Sequence, residues 1–364
     1  MPQMFSDLCR RSKVDPRIIE RLVNEKRDFN LDDLTRKARV EDAERRSAIA
    51  QRAYAKSAVS VPTNPGVSFG YEAGDLIADL VSPVVPGSIE RKYPLWSRRN
   101  SSRLLNTQIA GDGSISETSI DLTFPTYSEV PYGAKQIVDL NAVAQSSDAI
   151  DLMGAHMAAV QSDLMLSREK RVADLIMTGG SYASGCTSAL AGTNRWDVGP
   201  ATSTADPIKD IRITAKSAVA VGAKLNALAA STPVLEYLRS HPKVIAAAGA
   251  SASARVVSDD ELKRVFGVEY ILEGSAKYDS AGNAAAASYA RLWGTGCALL
   301  AVRPGAGLNQ QCFSKTFRHT DLTFRDVQDD TRGVRGMTIL IGTVEDDEVV
   351  VMSDGGYLLT TVVS

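Results

Sequence analysis

The sequence predicts an α+β fold arranged around one long amphipathic helix, on three observations. The first is an apolar stripe at Met153, Met157, Val160 and Leu164, resumed at Val172, Leu175 and Ile176 and stopped by Gly179-Gly180. The second is a block from about Ala205 to Ala301 in which capped helices alternate with short apolar strands. The third is a run of strand-like segments at the C-terminal end.

Size and charge set the bounds. The 364 residues suffice for two ordinary domains, or for one large domain with extensions. Apolar residues make up 44% and charged residues 23%, the balance of a globular chain. A formal net charge of −2 argues against a dedicated nucleic-acid binder, which carries a strong basic excess. No apolar run approaches the roughly 18 residues of a membrane span. "MPQMFSDLCRRSKVDP" lacks the apolar core of a secretory signal. Cys9, Cys186, Cys297 and Cys312 are scattered without C-x-x-C spacing, which predicts reduced, mostly buried thiols in a cytoplasmic product.

Two stretches ahead of the long helix cannot build a core of their own. Met1 to about Ser60 is charged and helix-prone, with 14 Lys/Arg against 10 Asp/Glu, a local +4 that leaves the remainder at −6. Its sparse apolar positions need another part of the chain, or another subunit, to lie on. Val61 to Asn141 reads as irregular and β-rich, punctuated by Pro62, Pro65, Pro83 and Pro86. "KYPLWSR" and "RLLNTQIA" are strand candidates, "GDGS" is a turn, and "SISETSIDLTF" returns as the second arm of a long hairpin. That hairpin is polar on both faces, and a two-stranded hairpin is marginal alone, so it too needs a neighbour.

Beyond the long helix the signals are local and firm. Asp206 caps a helix with Pro207 at its first position, and Thr232 caps another that opens on Pro233 and ends before Pro242. Ser258 and Glu261 form a capping box, Leu262, Val265 and Phe266 give that helix one apolar face, and Gly267 stops it. "VEYILEG" is a strand, and "CALLAV" is a central one. "GMTILIGTV", "EVVVMS" and "GYLLTTVV" read as a three-stranded meander, joined by an acidic turn "EDDE" and by "SDGG". "AAAGASASA" reads as a mobile loop.

Reactive constellations do not emerge. His156, His241 and His319 belong to no ligand motif, and neither a nucleophile elbow nor a phosphate loop occurs. "GTGCALL" is glycine-rich but leads into a strand, not a helix N-terminus. Glu345, Asp346, Asp347 and Glu348 have the oxygen chemistry of a divalent-cation site, but four carboxylates on a short turn are more simply a solvated tip. Asp326, Asp329 and Asp330 carry the same discount. Trp96, Trp196 and Trp293 lie far apart and read as core or interface anchors. No catalytic, cofactor-binding or metal-ligating residue is assigned, which favours a structural or binding role.

One series of segments carries a resemblance. "LSREKRVADLIMTGGSYASG", "GTNRWD", "ADPIKDI", "STPVLEYLRSHPKVI", "DDELKRVFGVEYILEGSAKY" and "LWGTGCALLAVRP" follow one another in an order that resembles major capsid proteins of tailed double-stranded DNA bacteriophages. Upstream, "LVSPVVPG…RKYPLW" and "EVPYGAKQIVD" resemble the entry and exit of that family's extended hairpin. The resemblance covers roughly Ser82 to Pro304, and its specificity lies in order and spacing, since each motif alone is a cap, a turn or a strand.

The resemblance implies a Hong Kong 97-like α+β capsid fold. Residues 1–70 would be an N-terminal arm, 83–144 an extended hairpin loop reaching over a neighbouring subunit, and 200–314 the axial domain. Residues 145–199 would carry the spine helix of the peripheral domain, completed by a β-meander at 315–364. It implies a homo-oligomer of hexamers and pentamers, enclosing double-stranded DNA non-specifically in a virion assembled in the bacterial cytoplasm, with a portal protein as partner and no membrane. A separate scaffolding protein and a decoration protein are further partners it allows. Candidate inter-subunit contacts are Lys92, Tyr93, Trp96, Arg98 and Arg99 at the hairpin, with Arg168, Glu169, Lys170, Arg171 and Asp174 on the spine. The spine charges are open to pairing between subunits or within the chain, or to facing packaged DNA. Some relatives join subunits through a Lys–Asn isopeptide to the peripheral domain; no asparagine follows Asn309 here, so no such cross-link is expected. An encapsulin-type compartment shell, or less readily an enzyme with an unrecognised site, are the competing expectations.

Overall fold

The computed structural model describes residues 76–364, apart from 88–90, 97–103, 105, 106, 110–112, 114, 116, 118, 146–150, 199–203, 219–223, 250–255, 282–285, 330 and 332–335. The N-terminal arm, Cys9, Arg98, Arg99 and most of the alanine–serine stretch lie outside the described residues.

In chain order the elements are α1 (Ala78–Val81), β1 (Val84–Pro86), β2 (Leu95–Trp96), β3 (Leu122–Thr123), β4 (Val130–Asp139), α2 (Leu140–Gln145), the long α3 (Leu152–Met177) and β5 (Thr187–Ala189). A π-helical run, Lys209–Ala215, precedes β6 (Ala227–Ser231), α4 (Thr232–Ser240), α5 (Pro242–Ala247), α6 (Asp259–Phe266) and β7 (Tyr270–Gly274). Then follow β8 (Lys277–Asp279), β9 (Tyr289–Arg291), β10 (Cys297–Leu300), β11 (Ser314–Asp329), β12 (Met337–Val350) and β13 (Gly356–Thr360).

The predicted helix starts where Asp151 accepts the Gly154 N–H at 2.9 Å, and it packs on a sheet of order β1-β11-β12-β4. Alternate residues of β12, namely Thr338, Leu340, Gly342, Val344 and Asp346, are buried. Gly342 lets the helix approach: a Cβ there would stand 2.8 Å from Val160 Cγ1 and 3.1 Å from both Leu164 Cδ1 and Phe324 Cε1. Gly342→Ala is therefore expected to destabilise by about 1–3 kcal/mol through overpacking, measured by urea unfolding.

The second sheet, of order β5-β13-β10-β6-β7, carries the main core. β10 is central as expected, and β6 and β10 are buried at every position, which small and aliphatic side chains such as Ala229, Ala230 and Leu299 permit. The Ser258–Glu261 capping box forms, and Gly267 ends α6 at φ 63°, a left-handed conformation suited to glycine.

Four expectations are corrected. The acidic "turn" Glu345–Glu348 is the interior of β12, a single strand of 14 residues, because alternation of buried residues continues through Asp346. The C-terminal meander is divided: β12 pairs with β11 and β4, whereas β13 lies beside β10 in the other sheet. Thr232 is the first helical residue and Ser231 occupies the cap position. Between residues 95 and 124, among the described residues, Leu95–Trp96 and Leu122–Thr123 pair as strands, while Leu104 and Thr107–Ile109 do not. β11, with 16 residues, was not read as a strand of its own, although the β-meander expected at 315–364 spans nearly all of it.

Candidate functional site

Part of the charged side of α3, carried by Arg168, Glu169 and Arg171, faces the interior of the chain. Glu169 is fully buried, and its Oε1 accepts from Trp293 Nε1 at 2.6 Å and from the Ile77 N–H at 3.2 Å. Its Oε2 accepts from the Ala78 N–H at 2.8 Å. Burial pushes the Glu169 carboxyl above its usual range, although Trp293, the two amides and the Arg168 guanidinium all favour the ionised form. Trp293 reaches this carboxylate because Gly274 leaves it room; a Cβ at 274 would lie 2.1 Å from Trp293 Cδ1.

Arg168 turns the other way along the same junction. Its guanidinium donates to the Ser82 carbonyl at 3.1 Å and to Thr316 Oγ1 at 3.3 Å, and it pairs with Asp79. One helical turn supported by two adjacent residues thus ties α1 and the entry to the hairpin onto both sheets. Arg171 grips Glu348 with Nε and Nη2 at 2.8–3.1 Å and lies 3.6 Å over the Tyr132 ring. Arg318 holds the buried Asp346 at 2.7 and 3.1 Å, which Arg171 also approaches at 3.7 Å. Two of the four acids, Asp346 and Glu348, are thus paired with arginines, and among the described residues no group of three His, Cys, Asp or Glu side chains could hold a metal ion.

Of the sequence-designated contact residues, Arg168, Glu169 and Arg171 make these intrachain bonds. Lys170 and Asp174 pair with each other on the exposed side. Lys92 is exposed and bridges to Thr126, whereas Tyr93 is buried. Tyr93 and Tyr127 stack on Phe317 at 5.3 and 4.2 Å between ring centroids, seating the hairpin stalk on the first sheet. Burial and the nearby Asp347 hold the Tyr93 hydroxyl above its usual pKa. Trp96 is half-buried, and its carbonyl accepts from Gln311 Nε2 at 3.1 Å. Sequence reasoning missed the roles of Asp79, Arg318, Asp346 and Glu348, and read Trp293 as a core or interface anchor without its carboxylate partner; the alternation through "TILIGTVEDDE" was the available signal for Asp346 and Glu348.

Cys186, Cys297 and Cys312 are buried, and burial pushes the Cys312 thiol up to about 11. No described helix is long and apolar enough to cross a membrane. What the surface offers is the hairpin: Leu104, Ile109, Ile115, Ile120 and Phe124 expose 58–97% of their area on one excursion from the body. Several large apolar exposures within one stretch of chain point to a surface that another protein covers.

Comparison with known proteins agrees with this arrangement. No protein-family model matches the chain. It is 25% identical over 278 residues to the major capsid protein of Pseudomonas phage JBD67, covering 76% of this chain and 88% of that one. It is 26% identical over 232 residues to the major capsid protein of Burkholderia phage BcepMu, covering 60% of this chain and 69% of that one. Among solved structures, a phage-related protein from Bordetella bronchiseptica superposes with a TM-score of 0.60 at 24% identity, over 79% of this chain and 93% of its own. The capsid of Cyanophage P-SCSP1u gives a TM-score of 0.50 at 12% identity, over 82% and 91%. The fold is the α+β, Hong Kong 97-like capsid fold that the sequence predicts.

Proposed function

We infer that this chain is a major capsid protein of a tailed phage, a subunit that assembles through contacts with its own copies into a shell. The hairpin carries this reading: five large apolar residues exposed on one loop have no partner surface of their own on the described stalk, and a closed assembly supplies one. The two curated capsid relatives support it, and they weigh against a compartment shell enclosing enzymes. Self-association also suits an interior whose charges are already paired, because Arg168, Glu169 and Arg171 brace the subunit and leave Lys92, Lys170 and Asp174 accessible for contacts with neighbours.

The finer architecture follows as part of the same proposal. Subunits form hexamers and pentamers of an icosahedral shell, with 83–144 as the reaching loop, 200–314 gathered at the axes and a portal at one vertex. The near-neutral charge lets the shell enclose double-stranded DNA without gripping it. Scaffolding and decoration proteins fit the same architecture, which is assembled in the host cytoplasm. With no asparagine after Asn309, subunits are held by non-covalent contacts and not by an isopeptide.

Negative-stain microscopy of the purified chain at neutral pH tests the assembly. Uniform polyhedral shells are expected, and boiling them in detergent should release a single monomer band. Small soluble oligomers alone, with a scaffolding partner supplied, would remove the capsid reading.

A further inference from the structure

One face of the first sheet carries α3, whose Val160 and Leu164 lie against Gly342. The opposite face is open at the end where β4 and β11 stop and β12 begins. There the register sets Ile339 of β12 beside Ile137 of β4 and Val327 of β11, an apolar row across three strands. Ile137 is 47% exposed and Val327 45%, and Ile339 is half-buried. Adjacent apolar side chains this exposed mark a contact surface.

Charged rows flank the apolar one. Two residues toward the strand ends, on the same face, Met337 lies between Asp139 and Asp329. The Asn141 N–H donates to Asp139 Oδ1 at 2.8 Å and the Thr331 N–H to Asp329 Oδ1 at 3.0 Å, which fixes both acids in place. Two residues the other way, Ile341 lies between Lys135 and Arg325. Both cations are exposed, and neither reaches a carboxylate among the described residues. Asp139 is no partner for Lys135 within the chain, because four steps along a strand separate them by about 13 Å.

Acid, apolar and basic rows in that order complement themselves. A two-fold axis laid along the apolar row reverses the strand direction in a second copy. Ile137, Ile339 and Val327 then each meet their own counterpart, Lys135 meets Asp139 of the partner subunit, and Arg325 meets Asp329 of the partner subunit. Sheets stacked about 10 Å apart bring such side chains into contact. A neighbour's hairpin would cover the apolar row, but it gives no reason for opposite charges on the two sides of that row. The three rows span only about 13 by 10 Å, far short of the roughly 800 Å² per partner of a stable dimer. Free subunits therefore pair weakly here, and a shell that holds many copies together retains the contact.

We propose that this face is a two-fold self-contact, in which β4, β11 and β12 of one copy pack on the same strands of a second copy with the acidic and basic rows opposed. The contact is isologous, whereas a hairpin reaching over a neighbour makes a heterologous one. The inference rests on the reading that copies of this chain associate.

Cross-linking with charge reversal tests it. Val327→Cys, with Cys9→Ser to remove the one cysteine outside the described residues, places a thiol on the axis; the other three cysteines are buried. A short bismaleimide should join concentrated free subunits, and assembled shells, into covalent dimers. Adding Lys135→Glu should slow dimer formation at least about tenfold, and adding Asp139→Lys to that variant should restore the rate to within about threefold. Rescue requires two opposed copies, since the two positions are too far apart to pair within one chain. Equal rates in all three variants overturn the contact. So does a loss that Asp139→Lys fails to restore, which would put a different partner on the face. Shells that give no Val327→Cys dimer refute the contact and leave the capsid reading intact. Dimers with rescue but no shells sink the capsid reading and leave the contact standing.

Discussion

Glu169→Ala is expected to destabilise the subunit by roughly 3–5 kcal/mol, the range for removing one member of a buried charged network. Three donors converge on this carboxylate: Trp293 Nε1, the Ile77 N–H and the Ala78 N–H. Alanine leaves all three without an acceptor in a space that water does not reach. Glu169→Gln should cost less, about 1–3 kcal/mol, because its amide oxygen still serves the Oε1 donors while its NH2 group opposes the Ala78 N–H. The pH dependence has a definite sign. Burial raises the folded-state pKa of Glu169 above its unfolded value, so its contribution is complete below the unfolded carboxylate range and shrinks as pH rises through the folded value. The stability gap between the parent and Glu169→Gln should therefore be wider near pH 4 than at pH 7. Urea unfolding at both values reads the effect; an alanine variant within about 1 kcal/mol of the parent would show that Glu169 is not the tie between α1, α3 and Trp293.

The distribution of what the sequence disclosed has a physical reason. Elements that depend on near neighbours were legible: the α3 stripe, the Ser258–Glu261 box, the Gly267 stop and the apolar "CALL" strand each express a local preference. β11 was not, because "RHTDLTFRD" is mostly charged and polar and its positions are half-buried or exposed, although its partner β12 follows directly in sequence. The roles of Arg168 and Glu169 were equally hidden. Their positions fall in a gap of the apolar stripe, where a solvated face is the ordinary expectation, and only the folded chain brings Asp79, Thr316 and Trp293 to them. Long-range ion pairing leaves no periodic trace in a sequence, so the fold was more readable than its polar joints.

Asp346→Ala separates the two descriptions of "EDDE" most sharply. On a solvated turn, alanine at any of the four acids would change stability by no more than about 0.5 kcal/mol. Inside β12 the four positions are unequal. Asp346 is fully buried, holds Arg318 at 2.7 and 3.1 Å and has Arg171 within 3.7 Å, so its loss leaves a half-buried guanidinium without its acceptor. That should cost roughly 3–5 kcal/mol. Glu345 lies on the opposite face, where its Oε2 accepts from Thr320 Oγ1 at 3.2 Å, and Glu345→Ala should cost about 1 kcal/mol or less. Asp346→Asn falls between them, since it keeps an acceptor for Arg318 and loses the charge. Equal, small effects at 345 and 346 would return the segment to a turn. A large effect at 346 alone would establish that β11 and β12 are joined through a buried ion pair. It would also place that joint against α3, because Arg171 of the helix reaches Asp346 and Glu348 from the same side of the sheet. The sheet and the helix of the subunit are thus braced against each other by ion pairs shielded from solvent.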